Sequence, residues 1–143
     1  MKLTIKLFDS ELPAPEYKTE KAAALDLYAR VTTVIHPGEV KLVPLNIALQ
    51  LPKDHWVLMA ARSSLFKKGV MMANGIGVGD EDFCGDNDEY HAALLNFTQQ
   101  PVTIERGDRI VQMIVMPRER VELEVVTQLS GKDRGGFGST GKK

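Results

Sequence analysis

Hydrophobic and polar positions alternate along this chain in short runs, rather than recurring every three or four residues. Leu3, Ile5 and Leu7 fall on one face of an extended segment, with Thr4 and Lys6 on the other, the period of a half-buried strand. Further runs at residues 24–30, 33–36, 39–44, 47–50, 56–61, 92–97, 102–104, 109–116 and 121–127 read as strands as well. Pro37-Gly38, Leu51-Pro52 and Arg106-Gly107-Asp108 punctuate them as turns. The one helical candidate, residues 63–68, runs for one or two turns into Gly69, which stops it. Many short strands joined by regular turns predict an all-β sandwich or barrel and argue against a βαβ fold.

Two segments break the strand rhythm, and no internal repeat or linker divides the rest. Residues 74–89 are rich in glycine and acids. Residues 130–143 are Gly-rich and basic with almost no apolar side chains, and such a tail cannot bury enough surface to order itself unaided. The expected organisation is therefore a β domain over residues 1–129 and a mobile C-terminal segment over 130–143.

Composition narrows the function classes. A chain of 143 residues with 43% apolar content fits one domain with a true core. A formal charge of −1 argues against a broad footprint on nucleic acid, but local Arg, Ser and backbone N–H groups can still bind a small anion. Cys84 stands alone, which excludes an intrachain disulfide; a small turn residue is its simplest reading, since no basic neighbour would lower its pKa. The N-terminus lacks a signal peptide's apolar core, and no run approaches the roughly 18 apolar residues of a membrane span. A cytoplasmic protein with no membrane partner is expected.

The tail carries the most suggestive local chemistry. Residues 136–141 match GxGxxG and nearly match a P-loop, but the chain ends without the helix that either motif needs. What remains is a backbone able to approach an anion closely, hydroxyls at Ser139 and Thr140, and a guanidinium at Arg134. Phe137 is the tail's one aromatic and suits base stacking; a disordered solubilising tail is the competing reading. In the acidic segment, Asp80 to Gly85 begins like a calcium loop, but Cys84 and His91 occupy positions where that motif needs oxygen ligands. A solvated acidic turn is the plain alternative. Phe83 among the acids, and Asn74 with donors and an acceptor suited to a pyrimidine edge, point instead toward a nucleotide. A carboxylate beside a phosphate-binding element could deprotonate water.

Together these segments resemble the trimeric dUTPase family over nearly the whole chain, through five short motifs in order. Ala22-Ala23-Ala24-Leu25-Asp26-Leu27 resembles the first, and Ala61-Arg62-Ser63-Ser64-Leu65 the second. Asn74 through Gly85 resembles the third, Gly107-Asp108-Arg109-Ile110-Val111-Gln112 the fourth, and residues 134–141 the fifth. The resemblance implies a distorted jelly-roll or β-barrel subunit of the β-clip type. It further implies a homotrimer with shared active sites, closed by the tail, that hydrolyses dUTP to dUMP and pyrophosphate with Mg²⁺.

Residue roles follow from the same resemblance. Asp80 corresponds to the carboxylate that activates water for attack on the α-phosphorus. Asn74, Val78, Gly79 and Asp80 correspond to the hairpin that reads uracil, with His91 at its flank, and Phe83 replaces the usual Tyr against deoxyribose. Arg62, Ser63, Ser64 and Gln112 correspond to phosphate and polar contacts. Arg134, Ser139 and Thr140 would hold the γ-phosphate, with Gly138 in the same loop and Phe137 over the base. Asp26 corresponds to the carboxylate that holds water on Mg²⁺. Structural alternatives stay open: a salt-bridge Arg62, a strand-end Asp26, a core Gln112. Trp56, Met71 and Met72 read as core residues.

The chain also departs from the family pattern. Gly79 stands where Ile is usual, which predicts lost packing and added flexibility just before Asp80. Ala61 replaces Pro, residues 86–89 add acids at the hairpin exit, and the reach of Arg134 is shortened. Among related folds, dCTP deaminase shares Arg-Ser-Ser-Leu and a Phe in the acidic loop, but it lacks the Gly-rich tail.

Overall fold

The computed structural model describes residues 1–137. Eleven strands form an all-β, distorted jelly roll: β1 (Thr4–Leu7), β2 (Leu25–Tyr28), β3 (Thr33–Ile35), β4 (Val40–Pro44), β5 (Ile47–Gln50), β6 (His55–Ala61), β7 (Val70–Met72), β8 (Ile76–Gly79), β9 (His91–Asn96), β10 (Val102–Ile104) and β11 (Arg109–Pro117). The described pairings are antiparallel and order the strands as β2-β11-β6-β8, β4-β9-β7, β1-β5 and β3-β10. The expected helical stretch is a single 3₁₀ turn, Leu65–Lys68. Gly69 ends that turn at φ 82°, and a Cβ there would lie 2.4 Å from Thr98 Cγ2, so both backbone and space require glycine. Among the described residues no helix is long and apolar enough to cross a membrane.

Alternation places the core where the sequence puts it. Leu27, Ile35, Val43, Ile47, Leu49, Val57, Leu94, Ile104, Ile110 and Met113 project inward from eight strands and are almost wholly buried. Removing this much apolar surface from water is the main favourable contribution to folding. A buried Asn96 ties neighbouring elements together, its amide donating to the Ile35 and Gln100 carbonyls at 2.8 Å. Such pairing is needed to offset the cost of burying an amide.

Three expectations change. β7 and β8 form in stretches to which alternation assigned no strand. Met71 faces outward on β7 at 47% exposure, while Met72, one position on, is buried; the two-residue period of the strand separates the pair. Residues 121–127 do not form a strand within the chain. Val121, Leu123 and Val125 are 78%, 84% and 96% exposed, and no sheet edge among the described residues pairs with them.

Candidate active site

β8 carries its glycines inward and its apolar side chains outward: Gly77 and Gly79 are buried, whereas Ile76 and Val78 are exposed. Its pairing with β6, which sets Val57 opposite Gly79 and Leu58 opposite Val78, fixes that register. The turn feeding β8 contains Asn74 and Gly75, the latter at φ 71°. Beyond β8 the chain turns through Asp80 to Gly85, closed by a hydrogen bond from the Phe83 N–H to the Asp80 carbonyl at 3.2 Å. Glu81 anchors this turn from outside, accepting from the Asp54 N–H at 2.9 Å and from Arg118 Nη2 at 2.8 Å.

These elements enclose an open cavity of about 360 Å³. Asn74, Val78, Gly79, Asp80, Phe83 and His91 all line it, so residues 17 positions apart in sequence meet around one space. Met59, Gly77, Glu89 and Tyr90 complete the wall. Asp80 is exposed. His91 is held through Nδ1 against the Glu89 carbonyl at 2.8 Å. Glu89 itself is pinned by Arg30, with two bonds of 2.7 and 2.9 Å, and by the Asn46 N–H at 3.0 Å. That bidentate pair fixes the path of the chain into β9.

Tyr90 overturns the expectation that Gly79 leaves a loosened hairpin. Its ring lies against Gly79 so closely that a Cβ there would sit 2.6 Å from both Cε1 and the phenolic oxygen. The space that a side chain at 79 would take is filled from the start of β9. Tyr90 is 3% exposed and meets Phe83 edge-on, with ring centroids 5.2 Å apart at 80°. Burial pushes the Tyr90 phenol up to about 12, and the negative charges of Asp80, Asp88 and Cys84 add to the shift. The sequence signal for this residue is faint: an aromatic eleven positions after a glycine that replaces a branched side chain.

A second cavity, of about 310 Å³, gathers Asp26, Arg62, Ser63 and Gln112 with Lys18 and three alanines, Ala22, Ala23 and Ala24. β11 sets Gln112 opposite Asp26 of β2 on one side and Ala60 of β6 on the other. Asp26 is 8% exposed; Arg109 Nη1 donates to it at 3.1 Å, and Arg62 Nε forms an ion pair with it at 3.0 Å. Arg62 is thus an ion-pair residue as well as a wall of the cavity, and Asp26 sits within β2 rather than at a turn. Gln112 donates to the Ala61 carbonyl at 3.1 Å. Ser64 precedes the 3₁₀ turn, exposed, with no side-chain capping bond. Arg109, which carried no expected role, supplies the second cation on Asp26; its place directly after Asp108 in the fourth motif was the available clue. Two guanidiniums and the Lys18 ammonium outnumber two carboxylates here, Asp26 and the Glu16 that pairs with Lys18, a local balance suited to an anion.

Arg134 and Phe137 join neither cavity within one chain. Arg134 is exposed and Phe137 is fully exposed at φ 51°. Gly138, Ser139 and Thr140 lie outside the described residues. Among the described residues no three His, Cys, Asp or Glu side chains cluster as metal ligands.

The sequence matches the dUTPase family across residues 10–141. It is 44% identical to a deoxyuridine 5′-triphosphate nucleotidohydrolase from Anaeromyxobacter sp., covering 92% of this chain and 89% of that one. A protein of the same name from Hydrogenobaculum sp. is 40% identical, with both chains covered in full. The crystal structure of dUTPase from Streptococcus mutans superimposes with a TM-score of 0.75 at 28% identity, over 82% of this chain and 98% of that one. Five ordered motifs, a jelly-roll subunit and a match over nearly its whole length make this chain a member of the dUTPase family.

Proposed function

We propose that this protein hydrolyses dUTP to dUMP and pyrophosphate, with Asp80 activating the water that attacks the α-phosphorus. The observation that carries the reading is the convergence of Asn74, Val78, Gly79, Asp80, Phe83 and His91 on one cavity. The β8 hairpin offers Asn74 and backbone groups to a pyrimidine edge, and Phe83 offers a ring face to the sugar. A flat ring against the sugar leaves no room for a 2′-hydroxyl, which selects deoxyribose. Asp80 reaches the same space with a carboxylate able to orient and deprotonate water.

The remaining demand is to hold and neutralise a polyanion while the water lines up with its target. Arg62, Ser63, Ser64 and Gln112 provide guanidinium, hydroxyl and amide contacts for phosphate. Arg134, Ser139 and Thr140 would close on the γ-phosphate, with Phe137 stacked over the base, so residues 130–143 act as a lid on the domain formed by residues 1–129. Asp26 fits Mg²⁺ through water: Oδ2 accepts from Arg109 Nη1 at 3.1 Å and Oδ1 only pairs ionically with Arg62, which leaves lone pairs for a metal-bound water. A cation held mainly by phosphates and waters needs one such carboxylate, not a protein cage. Bound there with the nucleotide, Mg²⁺ would supply charge neutralisation on the phosphate oxygens.

A homotrimer with shared sites accounts for two features of the single chain. The apolar stripe Val121, Leu123 and Val125 is exposed with no strand partner among the described residues, and Arg134 and Phe137 lie apart from both cavities.

The test is pyrophosphate release from dUTP, dCTP, dTTP and UTP with Mg²⁺ present. dUTP alone should be turned over rapidly; ammonia released from dCTP would overturn the reading in favour of a deaminase. Asp80→Asn should abolish turnover while largely sparing nucleotide binding, and near-normal turnover in that variant would remove Asp80 from the role.

A further inference from the structure

We infer that Tyr90 is the positioning residue for Asp80, replacing with a ring from the start of β9 the side chain that position 79 lacks. The inference rests on Asp80 acting in the reaction proposed above. It begins from a packing fact. Gly79 is buried beneath Tyr90, and nothing larger than hydrogen fits at 79 while the ring is in place. The backbone leading into Asp80 is therefore clamped between β6, its hydrogen-bonded neighbour, and the Tyr90 ring.

Tyr90 is itself fixed. Its N–H donates to the Ile47 carbonyl and its carbonyl accepts from the Leu45 N–H, both at 2.9 Å. Its ring edge meets Phe83, three residues beyond Asp80 in the same turn. One side chain thus braces the turn on both sides of the carboxylate.

The hydroxyl separates the ring's role from any polar one. The phenolic oxygen is buried and has no hydrogen-bond partner among the described residues. A phenylalanine would fill the same volume without the cost of a buried, unsatisfied donor. The hydroxyl therefore takes no part in the bracing, which belongs to the ring.

Tyr90→Phe in the full-length protein tests this directly, with dUTP hydrolysis and binding of a non-hydrolysable dUTP analogue measured side by side. Because the ring stays in place, Tyr90→Phe should keep kcat, KM and analogue affinity within about twofold of wild type. The melting temperature should hold or rise, because a buried unpaired donor has been removed. A fall in kcat of about 10-fold or more in Tyr90→Phe would overturn the ring as the source of the bracing. In Tyr90→Leu, parallel losses of kcat and analogue binding would overturn it too, by marking Tyr90 as merely structural. Tyr90→Leu, which removes ring and hydroxyl together, should lose more kcat than Tyr90→Phe; an equal or smaller loss would overturn the bracing by the ring. Failure of the wild-type protein to release pyrophosphate from dUTP would instead sink the proposed reaction, independently of either variant.

Discussion

One methyl group added at Gly79 would meet an aromatic ring rather than open space. A separation of 2.6 Å from Tyr90 cannot survive, so Gly79→Ala forces either the ring or the hairpin to shift. Overpacking of this kind costs on the order of 1–3 kcal/mol, readable in urea unfolding. Tyr90→Leu in the same chain should recover much of that loss, since it empties the volume in conflict. Simple additivity of the two changes would show that they do not share the space. The same phenol has a pH signature. Its ionisation is pushed up to about 12 by burial, against an ordinary value of about 10. The stability that comes from keeping it neutral is fully present below pH 10 and is lost as pH climbs toward 12. Wild type should therefore weaken more steeply than Tyr90→Phe over that window in chemical unfolding. Equal slopes would mean the phenol is not held neutral by the fold.

At the scale of elements, alternation made most strands legible because one face of each is buried and the other wet. β8 escaped because its pattern is inverted: glycines point inward, and the apolar Ile76 and Val78 point out. No count of apolar residues finds a strand whose buried face is backbone against Met59 and Tyr90. Of the candidate residues on that hairpin, Asn74 and Phe83 were legible from their own chemistry and the rest through the motif, whereas Tyr90, which has no place in the motif, was not. Residues 121–127 fail the other way. They carry a clear period of two, but a strand needs a partner edge, and local pattern does not say which chain provides it. The exposed stripe of Val121, Leu123 and Val125 is a strand in want of a sheet. If this stripe holds the proposed homotrimer together, Leu123→Asp should leave the far-UV spectrum of the domain intact while shifting sedimentation from trimer toward monomer. A trimer that resists this change would exclude the arm from assembly.

For the whole molecule, the decisive geometric fact is separation: Asp80 lies in one cavity, Arg62 and Asp26 in another, and Phe137 in neither. A single chain with Phe137 turned outward leaves phosphate groups, water and base without a common enclosure. A threefold assembly resolves this if each site takes its hairpin from one subunit and its lid from another, and the consequence can be measured without any structure. Asp80→Asn chains and chains truncated before Ser130 should each be inactive alone. Unfolded together and refolded as a mixture, they form sites in which an intact Asp80 from the truncated chain meets an intact tail from the other. With random assortment at equal ratio, about a quarter of sites combine both, so roughly a quarter of wild-type activity should return. If hairpin and lid came from one chain, every mixed site would lack one of them and the mixture would stay silent. Activity that returns on mixing without refolding would report subunit exchange in the native state, and its rate would give the lifetime of the trimer.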